Sequence, residues 1–273
     1  MYQGKRLPSS TPSRVAPSSK PYRYPAKKRF GLWSLLLLLL SVVCFCCFLR
    51  EYRSYSRTLN YYQSLSENVV IRARPKLSPA QRGSALDFKP LLTQNKDTVA
   101  WLEIPGLSLS LPITWCGDND TYLHTSFDGT DSRSGCLFLD AKASPDFSRP
   151  YQLIYGHNMK NGSMFGQLSA YAEKAFWKEN PSFTLYTPQG DYTCQVFSCH
   201  STEDGSEIYR MDWSPDADFT AFLQRLQQAA LYDTGVKVDQ NSQILTLSTC
   251  NSSYAGGLSR FVVHCVMTPL SPT

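Results

Sequence analysis

Three residue types suited to acyl transfer occupy suggestive settings in this chain: His157, Cys250 and Arg260. A thiolate is a nucleophile, an imidazole can move a proton between leaving and entering amines, and a guanidinium can hold a developing oxyanion with fixed charge. His157 follows the apolar run LIY in YGHNMKNGSMFGQL, with Gly156 and Gly162 around it. Cys250 ends the run ILTLSTC and precedes the polar, Gly-containing NSSYAGGLS, and Arg260 opens the run that continues as FVVHCVM. Each stands where an apolar run meets a turn-rich segment, so all three can converge on one rim of a β structure. Singly, such residues are more often structural or solvated, and residue type alone leaves the reading open.

The elements that must position them are short. From Leu86 onward the chain alternates apolar runs with turn signals: VAWLEIPG, LSLPITW, GCLFLD, YQLIYGH, FTLYTP, YTCQVFSC, QILTLSTC and FVVHCVM. Short strands at this spacing indicate a mainly β sandwich or barrel rather than a parallel βαβ sheet. Two stretches carry helical spacing instead, SMFGQLSAYAEKAFWKEN and DFTAFLQRLQQAALY, and each is expected to lie as an amphipathic helix on the β core. No repeat of 20 to 50 residues is visible.

The net charge of +5 does not point to nucleic acid once its location is seen. Residues 1–30 hold eight basic groups and no acid, so residues 31–273 carry −3 net. Phe30 to Leu49 is an uncharged run of 20 residues, which as a helix spans a hydrocarbon core of roughly 30 Å. The basic residues before it favour a cytoplasmic N-terminus and an external C-terminal portion. A cleavable signal peptide fits less well, because its apolar region would be shorter and would end in small residues, whereas Val42, Val43, Phe45 and Phe48 stand here. The expected organisation is a disordered basic cytoplasmic tail (1–29), a transmembrane signal anchor (30–49), a juxtamembrane helix and linker broken by Pro75 and Pro79 (50–85), and an extracellular domain (86–273).

Three of the nine cysteines, Cys44, Cys46 and Cys47, fall in the apolar span. The other six, Cys116, Cys136, Cys194, Cys199, Cys250 and Cys265, lie in an oxidising compartment, where three disulfides are the plain expectation unless one thiol is kept for chemistry. Cys194, Cys199 and His200 make a poor metal site, because C-x4-C-H lacks a second ligand pair, and simple alternation puts the two cysteines on opposite strand faces.

The strings YGHNMKNGSMF, TLSTC and SRFVV, in that order, resemble the signature segments of sortases, the transpeptidases that attach proteins to the wall or pili of Gram-positive bacteria. GSMF after the His, and the helix before the Cys strand, are similar to class B in particular. LLTQNKDTVAWLEIPGLSLSLPI and DNDTYL extend the resemblance upstream, so that it covers residues 86 to 268. It implies an eight-stranded β-barrel with accessory helices. By the same resemblance Cys250 is the nucleophile that cleaves a C-terminal sorting signal and forms a thioacyl enzyme, His157 the general acid and base, and Arg260 the residue that stabilises the oxyanion. Asn119, Leu123, Ser163 and Ser248 match positions lining the peptide groove.

The implied partners are sorting-signal-bearing surface proteins or pilins, a peptidoglycan precursor or pilin amine as acceptor, and the bilayer around the anchor; no metal or organic cofactor is implied. Class B relatives often carry an acid directly after the Cys, where this chain has Asn251 and Ser252, and extra cysteines are unusual in the family. Cys265, on the following strand, raises the question of a disulfide to Cys250 that would abolish the nucleophile. Papain-like enzymes fit worse, since His here precedes Cys. The reading from another class is a non-catalytic, disulfide-stabilised surface module that binds a peptide or scaffold partner.

Overall fold

The computed structural model describes residues 31–68, 84–250 and 259–270, so the basic tail, most of the linker and the segment holding Asn251 and Ser252 lie outside the described residues. The expected membrane span and juxtamembrane helix form one continuous helix, α1 (Leu32–Asn68). Its window Trp33–Arg50 has a mean hydropathy of 2.3 and no buried residue, which by length and composition suffices to cross a membrane. The chain divides into two compact units, the first ending at Phe48 and the second beginning at Leu49. The end of α1 belongs to the second unit, where Tyr62 and Leu65 are buried in its core.

All eight apolar runs form strands: β1 (Thr98–Ile104), β2 (Leu109–Thr114), β3 (Leu137–Leu139), β4 (Tyr151–Gly156), β5 (Ser182–Thr187), β6 (Gly190–Glu203), β7 (Ile244–Cys250) and β8 (Ser259–Pro269). They close into a barrel in the order β1-β2-β3-β4-β7-β8-β6-β5, which leaves no free sheet edge at the closure. The β2/β3 and β4/β7 pairs are parallel and the rest antiparallel. Trp101, Leu102, Leu153, Leu247 and Val263 are fully buried, because the inner face packs on itself and helices cover part of the outer one.

The helices are α2 (Lys89–Gln94), the single turn α3 (Thr121–His124), α4 (Lys174–Glu179) and α5 (Ala217–Gln228). In α5 the periodicity is obeyed: Asp216 caps its start by accepting from the Phe219 amide at 3.0 Å, and Phe219, Phe222, Leu223 and Leu226 face the core. The other expected helix is instead two pieces, a 3-10 turn (Leu168–Ala172) and α4, parted by the extended backbone at Glu173. Only the 3-10 turn buries its apolar face, through Leu168 and Tyr171.

Alternation fails at one place in β6. A register shift between Val196 and Ser198 inserts an extra residue, so Cys194 pairs with Met267 and Cys199 with Val263. These partners are four apart on β8, so the bulge brings Cys194 and Cys199 to the same face, where simple alternation had separated them. Cys116, Cys136, Cys194, Cys199 and Cys265 are free rather than paired in disulfides. Burial raises the Cys136 thiol to about 12. Cys265 opposes Leu245 whereas Cys250 opposes Arg260, five residues further along both strands. At ~3.3 Å per residue that separation is about 16 Å, well past the roughly 7 Å Cα reach of a disulfide. A Cys250–Cys265 bridge is therefore incompatible with this register.

Two histidines are buried against each other. His200 on β6 and His264 on β8 stack with centroids 5.1 Å apart, and Nδ1 of His264 shares a 2.8 Å hydrogen bond with the Thr246 hydroxyl. Nε2 of His264 and Nδ1 of His200 have no hydrogen-bond partner among the described residues. Burial lowers both imidazoles below their ordinary value of 6.5, with His200 adding to the effect on His264. The unfolded chain then takes up protons that the folded one refuses. Stability from this pair is complete above 6.5 and is lost as pH falls through that value toward the lowered folded ones, with a limiting slope of about 1.4 kcal/mol per pH unit per histidine. Melting curves from pH 7.5 to 5 should show this loss, and His200→Phe should reduce its slope; an unchanged slope in the variant would refute the assignment.

Candidate active site

Three neighbouring strands deliver the three expected catalytic residues to one end of the barrel. In the parallel β4/β7 pair, Tyr155 lies opposite Ser248 and Gly156 opposite Thr249. The next residue on β7 is Cys250 and the next after β4 is His157. In the antiparallel β7/β8 pair Cys250 lies directly opposite Arg260. Opposed Cα atoms in such a ladder are about 4.5–5.5 Å apart, so the backbone alone places Cys250 beside Arg260.

The motif after His157 is explained by how its loop closes. The Phe165 amide donates to the His157 carbonyl at 3.0 Å, and Asn158 bridges Met164, so the loop leaves β4 and returns at once. Phe165 is fully buried and packs on Gly156, where a Cβ would sit 2.6 Å from the Phe165 ring. Glycine at the strand end thus lets the returning aromatic seat directly beneath the histidine backbone. The His157 ring is held from the other side: its Nε2 donates to the Leu123 carbonyl of α3 at 2.8 Å. A carbonyl can only accept, so in the neutral ring Nε2 carries the hydrogen and Nδ1 keeps the lone pair.

Arg260 is half-buried, and its Nη2 donates to the Asp204 carboxylate at 3.3 Å. Asp204 is nearly half exposed, so the pair adds little stability; what it supplies is orientation of the guanidinium.

His157, Asp204 and Arg260 line a cleft of about 390 Å³ together with Asn119, Leu123, Ser248, Tyr155, Tyr209 and Asp140. Its floor is a polar network. Asp140 is buried, and its Oδ2 accepts from the Tyr155 hydroxyl at 2.9 Å and from Asn119 Nδ2 at 3.0 Å. Asn119 in turn accepts from the Ala141 amide at 2.8 Å. Burial, then the charge of Asp140, drives the Tyr155 phenol far above its usual value, so it remains a proton donor. Tyr209 stacks on Tyr155 with centroids 6.3 Å apart and hydrogen bonds Ser248 at 3.2 Å. Rings and hydroxyls of this kind suit an extended peptide, which presents apolar side chains and backbone amides together.

Of the expected groove residues, Asn119, Leu123 and Ser248 line this cleft with His157 and Arg260, whereas Ser163 does not. Ser163 lines a separate depression of about 450 Å³ between α1, β2 and the His157 loop, where its hydroxyl and amide both bond Asn161 Oδ1. Asp204, Asp140, Tyr155 and Tyr209 escaped the sequence reading. Tyr155 carried a usable signal, since alternation along YGH places it on the face of His157. Asp204 carried only the Asp-Gly turn that ends β6.

Comparison with known proteins agrees with this architecture. A family model described as "Sortase domain" matches residues 102–268. Sortase B of Listeria monocytogenes is 33% identical over 178 residues, covering 65% of this chain and 72% of that protein. Sortase B of Staphylococcus aureus is 27% identical over 214 residues, 78% of this chain and 83% of the relative. Among solved structures, sortase B from B. anthracis in complex with AAEK1 superposes with a TM-score of 0.68 at 29% identity, covering 80% of this chain and all of that one. A Staphylococcus aureus sortase B–substrate complex gives 0.64 at 29% identity, over 67% of this chain and 85% of that chain. With an eight-stranded barrel, a cleft at the joined ends of β4, β7 and β8, and relatives of this extent, the chain belongs to the sortase family, in its class B branch.

Proposed function

We propose that this chain is a membrane-anchored cysteine transpeptidase whose catalytic domain lies outside the cell. It cleaves the C-terminal sorting signal of surface proteins and passes the acyl group to a cell-wall or pilin amine. The observation that carries the reading is the register that sets Cys250 opposite Arg260 and one step beyond the strand pairing that ends next to His157.

The Cys250 sulfur attacks the scissile carbonyl, with its proton passing to His157 Nδ1, the nitrogen left free by the Leu123 bond. The tetrahedral oxyanion is held by the Arg260 guanidinium, steadied by Asp204. Collapse breaks the C–N bond, the imidazolium returns its proton to the leaving amine, and a thioester to Cys250 remains. The acceptor amine then attacks that thioester, giving a proton to His157, and the thiolate leaves and is reprotonated. Asn119, Leu123 and Ser248 line the cleft that receives the peptide, and Ser163 supports the loop that carries His157. The apolar part of α1 crosses the bilayer with the basic tail in the cytoplasm.

A panel of sorting-signal peptides incubated with the full chain tests this, with and without an added amine such as triglycine. The expected result is that mass spectrometry finds a cleaved peptide joined to triglycine; cleavage of no panel member would contradict the reading.

A further inference from the structure

The histidine is supported by a path that begins on the membrane-proximal helix. Tyr62, on α1, is buried to 5% exposure, and its hydroxyl donates to the Gly135 carbonyl at 2.9 Å while accepting from the Phe127 amide at 3.1 Å. Gly135 has a left-handed backbone, φ +56°, and its Cα faces the carbonyls of α3: an added Cβ would press on the Tyr122 oxygen and sit 2.8 Å from the Leu123 oxygen. The next residue fastens the same turn, since the Cys136 amide donates to the Tyr122 carbonyl at 2.9 Å. The Leu123 carbonyl is the one that accepts from His157 Nε2.

We propose that Tyr62 is a positioning residue for His157, so that the helix descending from the membrane span is part of the support of the active site and not merely a spacer. This rests on the reading of His157 as general acid and base. α3 has a single turn, too short to be rigid by itself, and so takes its position from what it packs on. On one side that is the Tyr122 hydroxyl, which donates to Asp97 at 2.9 Å and accepts from Asn95 at 2.9 Å. On the other it is the Gly135–Cys136 backbone, which Tyr62 holds. Burial keeps the Tyr62 phenol protonated and therefore a standing donor to Gly135. Loss of that donor frees the Gly135 carbonyl, lets α3 shift, and loosens the bond that fixes the ring and tautomer of His157.

The test compares Tyr62→Phe with Tyr61→Phe in the full chain in detergent micelles. Tyr61 is the control, because its hydroxyl also docks α1, accepting from Gln94 at 2.6 Å, and among the described residues it makes no hydrogen bond to the Gly135 segment. The chain has four histidines, so selective 15N labelling resolves the His157 ring nitrogens. In Tyr62→Phe the Nε2 and Nδ1 shifts of His157 should move toward the averaged values of an exchanging ring, and kcat should fall about 3- to 10-fold with KM within twofold. Tyr61→Phe should leave both unchanged. The proposal is overturned if Tyr62→Phe leaves the His157 resonances in place, or if both variants move them equally, which would mean general helix docking. Moved resonances with unaltered turnover would uphold the support path and refute instead the catalytic role of His157.

Discussion

Cys250→Ala should abolish both cleavage and transfer, with residual turnover of the panel peptides below about one part in 10³ of the native rate. Without the thiol no thioester can form, and what remains is a bound peptide facing water. His157→Ala should fall nearly as far, because nucleophile and base act as a unit and the two losses do not add. The double variant is therefore expected to be no slower than Cys250→Ala alone. Initial rates from chromatographic product analysis read all three. Retained turnover in Cys250→Ala would mean that a different group, or no covalent step, performs the reaction.

Arg260→Ala should lower kcat/KM by about 10²–10³, the cost of removing one preorganised donor from a developing oxyanion. Arg260→Lys should recover only part of this, because an ammonium cannot present two parallel N–H groups to a carboxylate and an oxyanion together. Asp204→Asn tests the same geometry from outside: it keeps the shape but weakens the hold on the guanidinium, and a loss of several-fold in kcat with little change in KM is expected. Equal activity in Arg260→Ala and the native chain would remove the guanidinium from the transition state.

Much of this architecture is written locally. The eight apolar runs are the eight strands, since each alternates or is continuously apolar between turn residues. The barrel, the His157 loop and the order of the three catalytic candidates came from motif strings whose physical logic appears only in three dimensions, as with Phe165 seated on Gly156. What was not legible depends on pairing. The bulge in β6 reverses the face of Cys199 because of where β8 lies, which no single-strand pattern records. The break at Glu173 overrides helical spacing that runs through it: Leu168 and Tyr171 of the first piece are fully buried, whereas Phe176 and Trp177 of the second pack on the core only in part. Asp204 is 56 residues from Arg260, and Tyr62 is 73 from Gly135. Such partners are set by the closure of the barrel and the docking of α1, and they are the contacts that orient the chemistry.

A reactive, unbridged sulfur at position 250 is the central requirement of this chemistry, and peptide mapping reads it directly. Full-length protein is alkylated with iodoacetamide without reductant, alongside His157→Ala, and the fragment containing Cys250 is followed by mass spectrometry over time. The expected result is carbamidomethylation of Cys250 well before the buried Cys136, Cys194 and Cys265, and slower in His157→Ala. A Cys250 fragment that stays unmodified until a reductant is added would contradict the account.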